Sequence, residues 1–112
     1  MNFSTEKLRE VLIVTAHIEK LDTQFAPELK GVFTFENKCG NNTIILDLSK
    51  TKYCDSSGLS AILVANRLCK DTNGTFILVG MQPNVQKMIE IAQLDRVLNH
   101  FATLSEALSD FE

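Results

Sequence analysis

The densest group of reactive side chains in this sequence lies in the segment Ser49-Lys50-Thr51-Lys52-Tyr53-Cys54-Asp55-Ser56-Ser57-Gly58. The segment follows a short apolar run, Ile44–Leu48, and leads directly into an apolar stretch that begins at Leu59. Hydroxyl, thiol and carboxylate groups between a strand and a helix suit nucleophilic chemistry or modification of a serine. This loop is therefore the first candidate for a functional site.

The end of this loop allows two interpretations that are compatible with each other. In the first, Asp55, Ser56 or Ser57 is the N-cap of the following helix and accepts a hydrogen bond from its first turn. In the second, a serine exposed at the helix N-terminus is a phosphorylation site, because free N–H groups and the helix dipole tolerate roughly −1.5 to −2 added charges. Three explanations are open for Gly58: a positive φ, close approach of a kinase, or simple tolerance of glycine in a first helical turn.

Enzymatic chemistry finds little support in the same residues. A hydrolase elbow needs G-x-S-x-G, and Cys54 stands at the first glycine position if Ser56 is the nucleophile. Nothing in the sequence places His17 or His100, the two histidines, beside Ser56. Cys54 has no neighbouring residue that would lower the pKa of its thiol, and fits a small buried apolar side chain better. These residues therefore argue against enzymatic activity, and an enzyme that uses Ser56 or Cys54 stays as an alternative.

Metal and cofactor sites are not predicted either. The three cysteines Cys39, Cys54 and Cys69 form no C-x-x-C pair and match no zinc spacing. The sequence contains neither G-x-G-x-x-G nor G-x-x-x-x-G-K, so no phosphate-binding loop is indicated. Asp47 invites comparison with a phospho-accepting aspartate, but the first strand is followed by no acidic pair to hold Mg²⁺. Asp47 is interpreted as a strand-end residue bonded locally.

Composition limits the class of protein and its partners. With 112 residues, 45% hydrophobic and 22% charged, the chain is expected to fold as one domain over residues 1–112. The net charge of −3 and the lack of a basic cluster argue against direct nucleic-acid binding. No apolar run approaches the roughly 20 residues needed to cross a membrane, and the N-terminus lacks a signal peptide's apolar block. These features predict a cytoplasmic protein without membrane insertion.

Apolar periodicity divides the chain into alternating strands and helices. Strands are predicted at Val11–Ala16, with an edge strand before it, at Ile44–Leu48, at Thr75–Val79 and near Val97–Ala102. Helices are predicted after Asp22 as N-cap, after Gly58, from Pro83 and after the capping box that begins at Thr103. This alternation predicts an α/β fold with a mostly parallel central sheet and packed helices.

The spacing of apolar residues also predicts which helix faces are buried. The expected buried positions are Phe25, Leu29, Val32 and Phe33; Leu59, Ile62, Leu63, Ala65 and Leu68; Val85, Met88, Ile89 and Ala92; and Leu104, Ala107, Leu108 and Phe111. In folds of this class, sites gather where loops leave the carboxyl ends of strands. The loops 17–22 and 49–58 meet that description.

The strand Ile44–Leu48, the loop ending Asp55-Ser56-Ser57-Gly58-Leu59 and the apolar helix after it resemble the STAS domain. More narrowly, they resemble the stand-alone anti-sigma factor antagonists of bacteria. The resemblance covers nearly the whole chain, including Leu21-Asp22, Asn73-Gly74-Thr75 and the helix at Pro83. In the family a glycine usually precedes the Leu-Asp pair by a few residues, whereas this chain reads Ala16-His17-Ile18-Glu19-Lys20-Leu21-Asp22.

The resemblance implies that Ser56 is phosphorylated by a partner anti-sigma factor, itself a Ser/Thr kinase. It also implies that Asp22, Asp55, Ser57, Gly58 and Leu59 join Ser56 in the partner-binding surface. The unphosphorylated domain would bind the anti-sigma factor and release a sigma factor, and a PP2C-like phosphatase would reset the phosphorylated form. An alternative role for a STAS domain is that of an accessory subunit of a membrane transport system.

Overall fold

The computed structural model describes residues 1–111 as seven strands and four helices. The strands are β1 (Phe3–Leu8), β2 (Val11–Ala16), β3 (Lys20–Leu21), β4 (Thr43–Asp47), β5 (Tyr53–Cys54), β6 (Thr75–Val79) and β7 (Asn99–Phe101). The helices are α1 (Ala26–Lys38), α2 (Ser56–Asp71), α3 (Pro83–Ile91) and α4 (Leu104–Ser109).

Five of the strands form one sheet in the order β1-β2-β4-β6-β7. β1 pairs antiparallel with β2, while the pairs β2–β4, β4–β6 and β6–β7 are all parallel. The α/β fold with a mostly parallel sheet and an edge strand before Val11 is therefore confirmed. β3 and β5 form a separate two-stranded parallel sheet that periodicity had not predicted.

The larger core lies on the sheet face that α1, α2 and α3 cover. Alternate residues of each central strand, such as Leu12 and Val14 of β2, point to this face and are buried. Phe33 of α1 meets Phe76 of β6 edge to face, with ring centroids 5.7 Å apart. This aromatic pair joins the first helix to the centre of the sheet.

The other sheet face carries a smaller core beneath α4. Ile13, Ile45 and Ile77 from three adjacent strands are buried there together with Ala107 of α4. The capping box predicted at the start of this helix is confirmed in part, since the Thr103 hydroxyl accepts a hydrogen bond from the Glu106 backbone N–H at 3.1 Å. A helix of six residues is thus sufficient to close the second face.

Some boundaries and exposures differ from the sequence predictions. The strand expected at Ile44–Leu48 is displaced by one residue to Thr43–Asp47, and α3 ends at Ile91, so Ala92 is exposed. Leu63 is 36% exposed and Phe111 is 40% exposed, although both were expected to be buried. Both predictions were wrong. Leu63 lies on α2, where periodicity does not show how far the neighbouring elements extend, and Phe111 lies beyond the end of α4 at Ser109.

The two ends of the main sheet differ in the loops that they carry. The carboxyl ends of β2 and β4 lead into the loops 17–25 and 48–55. The opposite end holds turns with positive φ at Arg9 (58°), Gly40 (95°) and Asn73 (62°). No helix within residues 1–111 is long and apolar enough to cross a membrane.

Candidate functional site

The two loops at the carboxyl edge of the sheet are joined by backbone hydrogen bonds. The Glu19 carbonyl accepts from the backbone N–H groups of Lys52 and Tyr53, at 2.7 and 3.0 Å. The Leu21 carbonyl accepts from the N–H of Asp55 at 3.2 Å. Through these contacts the short parallel pair β3–β5 fixes the loop before α2 against the segment before α1.

One side-chain hydrogen bond strengthens the same junction. The Thr51 hydroxyl donates to the Ile18 carbonyl at 2.9 Å, and Thr51 is fully buried. A buried carbonyl without a partner is costly, so this bond stabilises the junction more than an exposed bond of the same length would. Sequence reasoning missed Thr51 because its partner lies 33 residues away and no local pattern marks the pair.

Asp55 is the N-cap of α2, which decides between the three candidates for that role. Its backbone is extended, and its Oδ1 accepts a hydrogen bond from the Gly58 N–H at 3.0 Å. Its carbonyl accepts from the Leu59 N–H, also at 3.0 Å. A carboxylate here also interacts favourably with the positive end of the helix dipole. The cap leaves the two serines with no capping function.

The two serines that follow Asp55 differ in exposure. Ser56 is the first residue of α2 and is exposed, whereas Ser57 is half-buried. Because Asp55 caps the helix, the Ser56 hydroxyl can be modified without the loss of a helix cap. Ser56 is therefore the more accessible hydroxyl for a second protein.

Gly58 is buried, and its lack of a side chain is a packing requirement. A Cβ atom at this position would collide with the Leu21 carbonyl oxygen and would lie 2.6 Å from the Cys54 Sγ and 2.9 Å from the Leu21 Cγ. The glycines with positive φ are Gly40 and Gly80, so the explanation by a positive φ at Gly58 was wrong. The missing Cβ faces the protein's own backbone and so serves internal packing, not the approach of a kinase.

Asp22 does not have the capping role that the sequence suggested for it. α1 begins at Ala26, with Phe25 in the cap position and no side-chain cap. The Asp22 Oδ1 instead accepts from the Gln24 N–H at 3.0 Å, and its carbonyl accepts from the N–H groups of Phe25 and Ala26. The prediction was wrong because this local aspartate turn satisfies the side chain before the helix starts.

The predicted partner-binding residues separate into a surface set and a supporting set. Asp22, Asp55 and Ser57 are half-buried around the exposed Ser56. Asp22 is brought close to them because it follows Leu21, whose carbonyl accepts from the Asp55 N–H. Gly58 and Leu59 lie beneath this surface, and Leu59 is only 8% exposed.

A groove runs between the first turns of α1 and α2. It is lined by Thr23, Ala26, Pro27 and Lys30 on one side and by Ser56, Ser57 and Ser60 on the other. The predicted phosphorylation site therefore lies on the wall of a hydroxyl-rich groove that contains one lysine. Sequence reasoning did not select Lys30, because its relation to Ser56 depends on how the two helices pack.

The thiol nearest the site is poorly suited to nucleophilic chemistry. Cys54 is 1% exposed, and burial, together with the negative charge of Asp55, raises the pKa of its thiol to about 12. The thiol is therefore protonated at neutral pH and behaves as a small apolar group, as the sequence suggested. Burial likewise raises the pKa of the Cys69 thiol to about 11.

Histidines and carboxylates supply no catalytic or metal arrangement at Ser56. His17 has a ring nitrogen 2.7 Å from the Ser4 hydroxyl and the other 3.1 Å from the Lys50 ammonium, and His100 lies on the edge strand β7. Asp47 accepts from the Ser49 N–H at 2.9 Å, which confirms its local role. Over residues 1–111, no three His, Cys, Asp or Glu side chains are placed to hold a metal ion.

Comparison with known proteins adds independent information about the chain as a whole. The family model of the STAS domain matches residues 2–107. A Thermotoga neapolitana protein, described as a candidate anti-sigma factor antagonist and TM1081 homologue, is 33% identical over 105 residues, covering 93% of this chain and 84% of that protein.

Two solved structures have the same architecture. The crystal structure of TM1081, a candidate anti-sigma factor antagonist of Thermotoga maritima, gives a TM-score of 0.90 at 27% identity, covering 96% of this chain and 92% of that chain. The Bacillus cell fate determinant SpoIIAA in its phosphorylated form gives a TM-score of 0.76 at 23% identity, covering 98% and 99% of the two chains.

Replacement of Gly58 tests the packing of α2 on β3. We expect Gly58→Val to lower the free energy of unfolding by roughly 1–3 kcal/mol, because the new side chain displaces the Leu21 backbone or the Cys54 side chain. Chemical denaturation measures this change. Ser57→Ala is the matched control and should change stability by less than about 0.5 kcal/mol. Equal midpoints for the parent and Gly58→Val would contradict the packing argument.

Replacement of Thr51 tests the buried bond between the two loops. Thr51→Val keeps the shape of the side chain but leaves the Ile18 carbonyl without its partner, so we expect a loss of about 1–3 kcal/mol of stability. The same substitution at Thr34 is the control, since that hydroxyl donates to the Lys30 carbonyl within α1. Thermal unfolding of both variants should show the larger decrease for Thr51→Val, and the reverse order would argue against this role.

Proposed function

This chain belongs to the STAS domain family, and we propose that it is an anti-sigma factor antagonist whose binding to its partner is controlled by phosphorylation of Ser56. Family membership rests on the match over residues 2–107 and on the relative of 33% identity. The anti-sigma factor antagonists of this family are regulatory proteins and not enzymes. The chemistry at Ser56 would therefore be supplied by other proteins.

The observation that carries the proposal is the exposure of Ser56 beside a helix cap made by a different residue. Asp55 satisfies the N–H of Gly58, and Ser56 presents its hydroxyl at the surface. A kinase can add phosphate there without removing an interaction that the fold requires. The likeness to SpoIIAA, which has been solved in a phosphorylated form, supports a modification that this fold accommodates.

In the proposed cycle, the unphosphorylated protein binds an anti-sigma factor that is itself a Ser/Thr kinase. Binding occupies the anti-sigma factor and leaves a sigma factor available for transcription. The kinase then phosphorylates Ser56, the complex separates, and a PP2C-like phosphatase removes the phosphate. Such partners act on transcription, so we place the protein in the cytoplasm.

The charge of the phosphate explains how the complex would separate. Asp22 and Asp55 already give the surface around Ser56 a negative character, and phosphorylation adds roughly −1.5 to −2 charges. If the bound partner covers Ser56, this charge loses its water on association, which is unfavourable unless the partner neutralises it. A coupling of about 1–3 kcal/mol weakens binding roughly 5- to 150-fold, without a change in the backbone.

The phosphorylation site can be identified directly. Incubation with ATP and the anti-sigma factor kinase of the same organism should label the parent and Ser57→Ala but not Ser56→Ala, because Ser56 is the exposed hydroxyl. Phosphopeptide mapping by mass spectrometry locates the label. Label on Ser57 alone, or undiminished label in Ser56→Ala, would show that the site is assigned wrongly.

The effect on binding requires a comparison of three forms of the protein. We expect Ser56→Ala to bind the anti-sigma factor like the parent, and the Ser56 phosphoprotein to bind at least about 5-fold more weakly. Ser56→Asp should lie between them because it carries less charge than phosphate. Isothermal titration calorimetry measures the three dissociation constants, with circular dichroism as the control for folding. Equal affinities would rule out the switch.

A further inference from the structure

We infer that Lys30 is the counter-ion of phosphorylated Ser56 and holds the phosphate within the groove between α1 and α2. This inference rests on the proposed phosphorylation of Ser56. It assigns to the chain a positioning residue that lies outside the Asp-Ser-Ser-Gly-Leu motif. Lys30 would determine the ionisation and the placement of the phosphate that the switch depends on.

Lys30 and Ser56 share one groove. Lys30 of α1 and Ser56 of α2 line its two walls, and Lys30 is half-buried. Thr23, Ser57 and Ser60 add three more hydroxyls to the lining. No carboxylate of the described residues is part of that lining. A phosphate on Ser56 would therefore enter a space with one cation and several hydrogen-bond donors.

The carboxylates near the groove form hydrogen bonds with groups other than Lys30. Asp55 accepts from the Gly58 N–H and Asp22 accepts from the Gln24 N–H, each at 3.0 Å. Glu28, on the same helix as Lys30, accepts from the Asn2 side-chain amide at 2.9 Å.

Lys30 itself forms no ion pair within the part of the chain that the structure describes. The one pair there joins Lys52 to Glu19 across the β3–β5 junction, with 3.8 Å between Nζ and Oε1. The Lys30 ammonium is thus available to a new anion in the groove. Lys30 is the lysine that lines the same groove as Ser56.

The negative charges of Asp22 and Asp55 favour such a counter-ion. A phosphate at this position lies next to the Asp55 carboxylate in sequence and near Asp22, and both oppose its second ionisation. The second pKa of phosphoserine is about 6, so opposition of this kind reduces the dianion fraction near neutral pH. A nearby cation favours the dianion and lowers that pKa. Lys30 would thus preserve the charge that separates the complex.

The test is a ³¹P NMR titration of the full chain with phosphoserine installed at position 56 by genetic code expansion. We compare the parent, Lys30→Met and Lys30→Arg, with Lys38→Met as the control from the last turn of α1. Lys30→Met should raise the second pKa of the phosphate by roughly 0.5 unit, as expected for unit charges about 6 Å apart in a water-like dielectric. Lys30→Arg should remain like the parent, and so should Lys38→Met.

The salt dependence and a second neutral variant test whether the charge of Lys30 causes the shift in the phosphate pKa. The difference between the parent and Lys30→Met should shrink in 1 M NaCl, where the screening length falls to about 3 Å. If Lys30→Met does not fold, Lys30→Gln provides the neutral side chain for the same titration. An unchanged pKa in the neutral variant, or an equal rise in Lys38→Met, would overturn the inference.

The phosphate in this experiment does not come from a kinase, so the two proposals can fail separately. A kinase that does not label Ser56 would count against the proposed function and would leave the titration result intact. A titration without a Lys30 effect would count against the counter-ion and would leave phosphorylation of Ser56 in place.

Discussion

The first turn of α2 lies so close to the backbone of Leu21 that position 58 has room only for a hydrogen atom. This contact brings the loop before α2 onto the segment before α1 and allows the Asp55 N–H to reach the Leu21 carbonyl. The groove and the proximity of Asp22 to Ser56 both follow from it. A glycine buried beneath the surface thus controls the geometry of the residues exposed above it.

The residues that stabilise this part of the fold are different from the residue proposed to be phosphorylated. Asp55 satisfies the helix N-terminus and Thr51 satisfies a buried carbonyl, so both contribute to the fold through hydrogen bonds. Ser56 is exposed and has neither role. Cys54 is kept inert because burial raises the pKa of its thiol to about 12. In the proposed cycle, the site therefore offers the Ser56 hydroxyl to an external kinase, and its nearest thiol is protonated at neutral pH.

The sequence was sufficient to predict the elements with strong periodicity. Val11–Ala16 and Thr75–Val79 appeared where expected, because several apolar residues in each follow the same period. The helix expected after Gly58 was also found, but it begins at Ser56 and includes the glycine. β3 and β5 were not predicted, since two residues carry no period and their pairing is set by distant backbone groups. The start of α1 was misplaced because the Asp22 side chain satisfies a turn first.

Only part of the candidate site could be predicted from the sequence. The motif and its resemblance to a family selected Asp55 and Ser56, but the choice of Asp55 as cap required the geometry of the loop. Lys30 could not be selected, because only the packing of α1 against α2 places it in the groove with Ser56. Local chemistry was thus readable from the sequence, and relations between distant segments were not.

The turns and loops lie at two opposite ends of the main sheet. Loops 17–25 and 48–55 hold the candidate site at one end of the sheet, and Gln82 joins the same end through a hydrogen bond to the Ser49 carbonyl at 2.8 Å. The turns at Arg9 and Asn73 lie at the other end. Arg9 and Glu10 are exposed in the first of these turns, so an insertion there would lengthen a loop that is remote from the candidate site. The architecture thereby offers a place for added segments at the opposite end of the sheet from Ser56.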